Sequence, residues 1–297
     1  MSDHDRARRH TPAAATYTIR PVTDPVTLRR CEAVQALVWG MAPSEIVPLY
    51  QLVASLSAGG SVLGAFTADE ELVGFAYAFP GWRPEGPVWY SHMAGVLPVH
   101  QGTGLGLRLK CAQRDAALAA GIDRVVWTYD PLQSRNARFN FDRLGVVASR
   151  YYVDYYGPMT DAINRGLPSD RFEVDWWLRS PRVVARLSGE PPPPPGTDVA
   201  WALSAARAAD GAPPGPLSPP ATPDLAVSGP RLLVEIPSDL ARLKADRPEG
   251  ALQWREATRE AFLHYFGRGY EATAVVRPGG AGSSRVAYVL EQKGALP

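Results

Sequence analysis

A short glycine-rich turn is the part of this sequence whose residue types and spacing could do chemistry. The segment VLPVHQGTGLGLRLK, residues 96–110, places Gly102, Gly104 and Gly106 between an apolar run and a helical pattern. The first N–H groups of a helix lack partners within the helix, and the helix dipole favours negative charge beside them. Glycine also lets a ligand approach the backbone closely. The turn therefore predicts an anion site.

Motif spacing narrows the choice of anion. The dinucleotide pattern G-x-G-x-x-G fails because its last glycine is Leu107 here. The triphosphate pattern G-x-x-x-x-G-K-[ST] fails because Lys110 lacks both the preceding glycine and the following Ser or Thr. A third pattern, Q/R-x-x-G-x-G/A, matches at Gln101, Gly104 and Gly106.

The third pattern is the pyrophosphate loop of the GNAT superfamily of N-acetyltransferases, which the chain resembles over about residues 17–180. The turn follows an apolar strand and opens a helix, as in that family. The segment WTYDPLQSRNARFNFDRLG resembles the family's second signature. Together with SHMAGVLP and DRFEVDW, it resembles a branch of predicted bacterial and archaeal acyltransferases with a C-terminal extension.

The resemblance implies an α/β (α+β) fold with a mixed, mostly antiparallel sheet flanked by helices. It also implies acetyl-CoA or another acyl-CoA as co-substrate, without a metal. Backbone N–H groups of 102–106 would hold the pyrophosphate, and the free edge of strand 91–97 would pair with the pantetheine amides. A backbone N–H near the end of that strand would stabilise the oxyanion. The implied CoA-binding residues are Gly95, Val96, Leu97, Gln101, Gly102, Thr103, Gly104, Leu105, Gly106, Ser134, Asn136, Arg138 and Phe141.

His92 is the first candidate for the base that an amine acceptor requires. A free alkylammonium group has a pKa of about 10, so a base must remove a proton directly or through water. His92 lies four residues before Val96 on the strand expected to carry the thioester, where other members of the superfamily place a base. Glu85, in the preceding loop, is the second candidate. A packed histidine and a solvated carboxylate are the alternative interpretations.

The general acid and the acceptor are less well specified. Many members of the superfamily have a Tyr where this chain has Phe141, so its hydroxyl is missing. Tyr129, Tyr151 and Tyr152 are alternatives, as is unassisted departure of the thiolate. Substrate candidates are Arg83, Arg135 and Tyr152, with Arg138 as a further cation, because arginine pairs well with a carboxylate of an amino-acid acceptor or a succinyl-like donor.

These residues predict an N-acyltransferase that moves an acetyl or succinyl-like group from CoA to a primary amine of a small molecule or amino acid. A catalytically silent acyl-CoA-binding module is the alternative. The 297 residues are 45% hydrophobic and carry a formal net charge of +1, which argues against nucleic acid or a membrane as partner. No apolar run has the length of a membrane span, and a cytoplasmic location is expected. A homodimer remains open.

Composition divides the chain into four parts. We expect a disordered tail at 1–15, the acyltransferase domain at 16–188, a proline-rich linker with a short helix at 189–224, and a C-terminal β-α-β-β domain at 225–297. The last repeats the strand, helix and hairpin order of the second half of the acyltransferase fold. It lacks a Q-x-x-G-x-G turn, so no CoA binding is expected there. We expect it to pack on the first domain or a partner subunit, at the acceptor side of the site.

Overall fold

A computed structural model describes residues 16–161, 163–194, 196, 199–207, 214–280 and 283–293. The tail at 1–15 lies outside these residues. The α-helices are α1 (Pro25–Trp39), α2 (Leu49–Ser57), α3 (Leu105–Ala119), α4 (Ser134–Arg138), α5 (Pro181–Leu187), α6 (Leu240–Asp246) and α7 (Pro248–Gly267). The strands are β1 (Thr18–Pro21), β2 (Ser61–Phe66), β3 (Leu72–Arg83), β4 (Gly86–Val96), β5 (Arg124–Tyr129), β6 (Val147–Tyr152), β7 (Arg171–Trp177), β8 (Ala200–Leu203), β9 (Arg231–Ile236), β10 (Tyr270–Val276) and β11 (Val286–Gln292).

One mixed sheet contains all of these strands, in the order β1-β2-β3-β4-β5-β7-β6-β10-β11-β9-β8. Neighbouring strands are antiparallel except β4 with β5 and β8 with β9. Successive side chains of a strand point to opposite faces, and β3 shows this clearly. Phe75 and Tyr77 join the apolar cluster of α1 and α2, whereas Ala76 joins the cluster of α3. The predicted fold class, a mostly antiparallel sheet flanked by helices, is confirmed.

The sheet opens between β4 and β5. β4 pairs with β3 over its whole length but with β5 at two residue pairs, of which the second is Tyr90–Val126. β5 stays paired with β7 to its end. The two parallel strands therefore separate, and from Ser91 to Val96 the edge of β4 has no partner on the β5 side. This V-shaped gap exposes backbone N–H and C=O groups inside the fold.

The two ends of the sheet follow the same order around the contact between β6 and β10. On one side β6 is followed by β7, β5 and the parallel strand β4; on the other, β10 is followed by β11, β9 and the parallel strand β8. β6 and β10 both carry an irregularity at one residue, Ser149 and Thr273 respectively. The residues before these irregularities, Ala148 and Ala272, pair with each other.

A shared core joins the two ends. The ring of Phe262 on α7 lies 4.6 Å from that of Phe172 and 5.9 Å from that of Tyr151, measured between centroids. Two ion pairs also connect α7 to the first part of the chain: Arg255 with Asp130, and Arg259 with Asp170. The C-terminal residues therefore complete the core of the first part instead of forming a separate globule.

Some local predictions were wrong. The short alanine-rich segment expected as a helix contains strand β8, which consists of four apolar residues and pairs with β9 in the sheet. Helices α5 and α6 were not predicted, although Ser180 and Asp239 cap them with side-chain hydrogen bonds to Val183 and Arg242. The helix expected over 134–145 starts as α4 and continues as a π-helical segment, Phe139–Leu144.

Candidate active site

The glycine turn enters α3 through two residues in the left-handed region. Gly102 has φ of 79° and Gly104, the N-cap of α3, has φ of 82°. Residues with a side chain rarely adopt this conformation, which explains the two glycines. Gly106 lies inside the first turn of the helix, and a Cβ at any of these three positions would meet no atom within 4 Å. The space beside the Cα atoms of these glycines is therefore open toward the cleft that they line.

Side chains of the turn hold its shape. The Gln101 side-chain amide donates to the carbonyl of Val96 over 3.0 Å, tying the turn to the last residue of β4. The Thr103 hydroxyl donates to the carbonyl of His100 over 2.8 Å. His100 in turn hydrogen-bonds through Nδ1 to the hydroxyl of the buried Tyr17. The turn is thus fixed relative to the free edge of β4.

A cleft of about 1200 Å³ runs from the turn along this edge. Among the described residues that line it, every charged or titratable side chain is basic: His100, Lys110, Arg135, Arg143, Arg165 and Lys244. A concave site lined by one sign of charge concentrates ligands of the opposite sign. Together with the open N-terminus of α3, this makes the cleft suited to a polyanion such as the phosphates of CoA.

Predicted residues divide between those inside and those outside this cleft. Gly95, Val96, Gln101, Gly102, Gly104, Gly106, Arg135 and Asn136 line it. Trp39 of α1 lines it too, and a Cβ at Gly95 would lie 2.6 Å from the Trp39 ring, so the glycine allows the indole to pack on the strand. The turn and the end of β4 are therefore brought together as expected.

The remaining predicted binding residues have other contacts. Leu105 is buried beneath α3, and Phe141 is buried in the core against the ring of Tyr288. Ser134 donates to the carbonyl of Ser238. Leu97 and Thr103 flank the cleft without lining it, Arg138 pairs with Asp142, and Tyr152 packs on Tyr155.

His92 lies at a bulge in β4. Tyr77 pairs with Met93 and the next residue of β3 pairs with Ser91, so His92 has no partner in the ladder. Its ring lies among Tyr77, Phe79 and Tyr90, with centroids 5.8 to 6.4 Å away. His92 is nevertheless exposed to solvent.

Partial burial among these rings lowers the pKa of His92 from its ordinary value of 6.5, because desolvation disfavours the charged form. A neutral imidazole can accept a proton. Ala94, two residues further along β4, lines the cleft, so His92 stands beside the cleft without lining it.

Glu85 is at the other end of β4. It occupies the hairpin between β3 and β4, where its carboxylate accepts a hydrogen bond from Arg124 over 2.8 Å. A hydrogen bond from its own backbone, followed by the one from Arg124, lowers its pKa. Arg83, in the same hairpin, pairs with Glu173. The structure brings neither residue to the cleft.

The tyrosines considered as general acids have partners in the core. The hydroxyl groups of Tyr129 and Tyr288 lie 2.8 Å apart, and Tyr151 donates to Asp170 over 2.6 Å. Burial raises the pKa of Tyr129 and Tyr151 well above the ordinary tyrosine value. Tyr129 and Tyr151 do not line the cleft.

Sequence reasoning missed five basic residues of the cleft, of which His100 directly precedes the glycine turn and Lys110 lies on α3. Its signal was present: Lys110 and Gln113, three positions apart, stand on the face of α3 that also carries the buried Leu109 and Ala117. The others, Arg143, Arg165 and Lys244, come from three distant segments. No sequence spacing relates them.

The described residues include no group of three or more His, Cys, Asp or Glu side chains arranged to hold a metal ion. Within the same part of the chain, no helix has the length and apolar character needed to cross a membrane.

Residues 32–145 match the model of the acetyltransferase (GNAT) family. The match includes the glycine turn, β4, and the segment of α4 that faces the turn across the cleft. This part of the chain is therefore similar to the GNAT family of acetyltransferases.

Solved structures with a similar fold include three acetyltransferases. Naa50 from Arabidopsis thaliana, in complex with the bisubstrate analogue CoA-Ac-MVNAL, shares 16% identity at a TM-score of 0.42, covering 54% of this chain and 97% of that one. A putative GNAT-family acetyltransferase from Desulfovibrio desulfuricans shares 18% sequence identity at a TM-score of 0.45, and the match covers 55% of this chain and 99% of that one. The putative acetyltransferase yncA from Salmonella typhimurium, with its cofactor acetyl-CoA, shares 20% sequence identity at a TM-score of 0.43, and the match covers 55% of this chain and 94% of that one.

Proposed function

We propose that this protein is an acyl-CoA-dependent N-acyltransferase that transfers an acetyl or succinyl-like group to a primary amine of a small molecule or amino acid. One observation carries the proposal: an open glycine turn at the N-terminus of α3 lies at the head of a basic cleft that follows the unpaired edge of β4. The turn supplies N–H donors for the pyrophosphate, and the strand edge supplies partners for the pantetheine amides.

The residues of β4 provide the chemistry. A thioester laid along the free edge places its carbonyl near a backbone N–H group of β4, which would stabilise the negative charge of the tetrahedral intermediate. His92, neutral at pH 7 because of its lowered pKa, would take the proton of the attacking amine directly or through a water molecule. Arg135, inside the cleft, is the predicted substrate residue that could bind a carboxylate of the acyl group or of the acceptor.

A catalytically silent acyl-CoA-binding protein is the second candidate. Phe141 favours it, because the position that carries a Tyr in many relatives has no hydroxyl here and is buried in the core. Binding without turnover would leave the cleft and the turn with the same geometry.

A panel assay separates these two candidates. Purified protein would be incubated with acetyl-CoA or succinyl-CoA and with amines, amino acids and a short peptide with a free N-terminus, and release of free CoA would be measured. Release that depends on an acceptor supports the enzyme. Tight binding of both thioesters with no release in any combination supports the silent module, and no binding of either contradicts both.

We also propose that residues 225–297, together with β8, form a degenerate copy of half the acyltransferase fold. The support is the repeated strand order on both sides of Ala148 and Ala272, with a parallel pair at the end of each half. In the first half α3 connects the parallel strands, whereas the corresponding connection from β8 to β9 has no α-helix among its described residues. Among the described residues, the second half therefore has no helix N-terminus between its two parallel strands to hold a pyrophosphate.

The copy contributes to the first site instead. Ala241, Lys244, Ala245 and Pro248 line the same cleft as the glycine turn. These residues support a role for the C-terminal part as one wall of the proposed acyl-CoA site. Limited proteolysis in the presence and absence of CoA tests this role: protection of α6 by CoA is the expected result, and unchanged cleavage would contradict it.

A further inference from the structure

Lys110 is a buried cation at the point where β4 and β5 separate. The last pair between these strands is Tyr90 with Val126, so the next residues, Ser91 and Trp127, begin the two arms of the V. The Lys110 Nζ donates to the Ser91 hydroxyl over 3.1 Å and lies 3.8 Å from the centroid of the Trp127 ring. Its side chain therefore occupies the apex of the gap.

The surroundings of Lys110 contain no counter-charge. Nζ also donates to the side-chain oxygen of Gln113 over 2.7 Å, and the ring of Trp176 on β7 lies 5.2 Å away. Each element packed against the ammonium thus presents a neutral group: Ser91 from β4, Trp127 from β5, Trp176 from β7 and Gln113 from α3 itself. Among the described residues, no carboxylate forms an ion pair with it.

A buried lysine without a carboxylate is costly, so its retention points to a ligand. Lys110 is 3% exposed, yet it is one of the residues that line the cleft. Beside it, the Gln113 side-chain nitrogen is buried and has no hydrogen-bond partner. Buried polar groups are otherwise almost always paired, and the apex therefore offers one donor, Gln113 Nε2, that no described residue satisfies.

The position of the apex fits the reactive end of a thioester. Six residues separate Gly104 from Lys110, or about 9 Å along α3 at 1.5 Å per residue. A CoA molecule with its pyrophosphate at the turn and its arm along β4 would bring its sulfur toward the apex. Phe141 provides no proton there, since it is buried in the core without a hydroxyl.

We propose that the Lys110 ammonium group lies beside the sulfur of the bound thioester and donates a proton to the CoA thiolate as it leaves. This rests on the proposed function. In the step, the amine nitrogen bonds to the acyl carbon, the carbon–sulfur bond breaks, and its electron pair stays on sulfur. Nζ then gives sulfur one proton and becomes neutral, while the proton lost by the amine passes through His92 or water to solvent. Solvent returns a proton to Lys110 after CoA thiol departs.

The acidity of Lys110 suits this step. Desolvation lowers its pKa from 10.5 to about 7, so its proton is available to a thiolate near neutral pH. A thiol has an ordinary pKa of about 8.5, and an adjacent ammonium lowers it by favouring the thiolate.

The test is the titration of the CoA thiol in its binary complex, followed by the ultraviolet absorbance of the thiolate. In the wild-type complex we expect a part of the thiolate to form already near pH 7, below the ordinary thiol pKa of about 8.5, because the thiol and the Lys110 ammonium titrate as a coupled pair. In Lys110→Met and in Lys110→Gln, which keeps polar contacts with Ser91 and Gln113, this shift should disappear. Lys244→Met is the matched control, because it removes a cation from the cleft away from the apex and should weaken CoA binding without moving the thiol pKa.

The outcomes separate the two levels of the proposal. Absence of CoA binding to the wild type would overturn the proposed function and the role of Lys110 with it. CoA binding with the same thiol pKa in wild type and both Lys110 variants would overturn the role of Lys110 alone. As a kinetic check, kcat of the wild type should fall on the alkaline side as Lys110 loses its proton, and this limb should be missing in Lys110→Met, whose kcat should be about 10²-fold lower.

Discussion

Ala148 of β6 and Ala272 of β10 pair with each other, and each is followed by an irregular residue in its strand. The four strands on each side of this contact follow the same order and end in a parallel pair. Among the described residues, only the first of these two sets has a glycine turn and a helix N-terminus at its parallel strand pair.

We therefore expect each chain to bind one acyl-CoA. Isothermal titration calorimetry with acetyl-CoA should give a stoichiometry of one, because a second site would need anion-binding N–H groups between β8 and β9. A stoichiometry of two in a protein with an intact glycine turn would contradict the degeneracy of the second half.

The open space around Gly106 gives a sharp test of the CoA site. Gly106→Val should leave the fold intact, since a Cβ there meets no atom within 4 Å, but its side chain would fill the space intended for phosphate. We expect at least a tenfold loss of acyl-CoA affinity, or about 1.4 kcal/mol. Gly104→Val should also abolish binding, although its φ of 82° adds strain in the helix cap.

Gly267→Val is the matched control for Gly106→Val. Gly267 is also helical and has no atom within 4 Å of a built Cβ, but it lies at the end of α7. Its variant should bind acyl-CoA like the wild type. Equal affinities of all three proteins by calorimetry would contradict the site.

His92→Ala should lower kcat by roughly 10²- to 10⁴-fold at neutral pH, the range for loss of a general base. The deficit should shrink at alkaline pH, where the amine deprotonates unaided. In the wild type, activity should fall with decreasing pH only below the ordinary histidine value of 6.5, because desolvation lowers the pKa of His92 and keeps it neutral. His264→Ala, on α7, is the control and should have wild-type rates; a His92 variant with the same rates would exclude the base.

Lys110→Met should stabilise the protein near neutral pH by about 1–4 kcal/mol, since it replaces a buried charge by an apolar side chain of similar length. The folded-state pKa of about 7 lies below the unfolded value of 10.5, so wild-type stability rises with pH between these values. The advantage of the variant should therefore be largest at pH 7 and below and shrink toward pH 10. Urea unfolding at several pH values measures it, and a pH-independent difference would contradict burial of the charge.

Arg255→Met should destabilise the protein by about 3–5 kcal/mol, because it leaves the buried Asp130 without its cation. Asp130 also accepts a hydrogen bond from the backbone N–H of Leu132. Removing the Arg255 cation therefore also disturbs the segment that leads into α4. Arg242→Met is the control: its pair with Asp246 is largely exposed, and such pairs contribute at most about 1 kcal/mol. Similar midpoints of urea unfolding for the two variants would show that the two ends of the sheet are not coupled through Arg255.

The sequence by itself determined the local features. Asp24 followed by Pro25 begins α1 as a capping pair, and the Asp24 side chain accepts from the backbone N–H of Thr27 over 2.8 Å. The spacing of Gln101, Gly104 and Gly106 identified a turn that must pass through left-handed backbone, which glycine adopts at low cost. These signals act within a few residues, and a pattern along the chain is enough to find them.

Tertiary structure decided which distant groups share the cleft. Strand β8 is short, and only pairing with β9 makes it a strand where the local composition favours a helix. Lys110, Arg165 and Lys244 line the same cleft because β4 and β5 separate and α6 contributes residues to the cleft wall. The spacing of residues along the chain predicts neither feature. Glu85 shows the converse. It is near His92 in sequence, but the extended strand between them separates the two residues, and the Glu85 carboxylate accepts a hydrogen bond from Arg124.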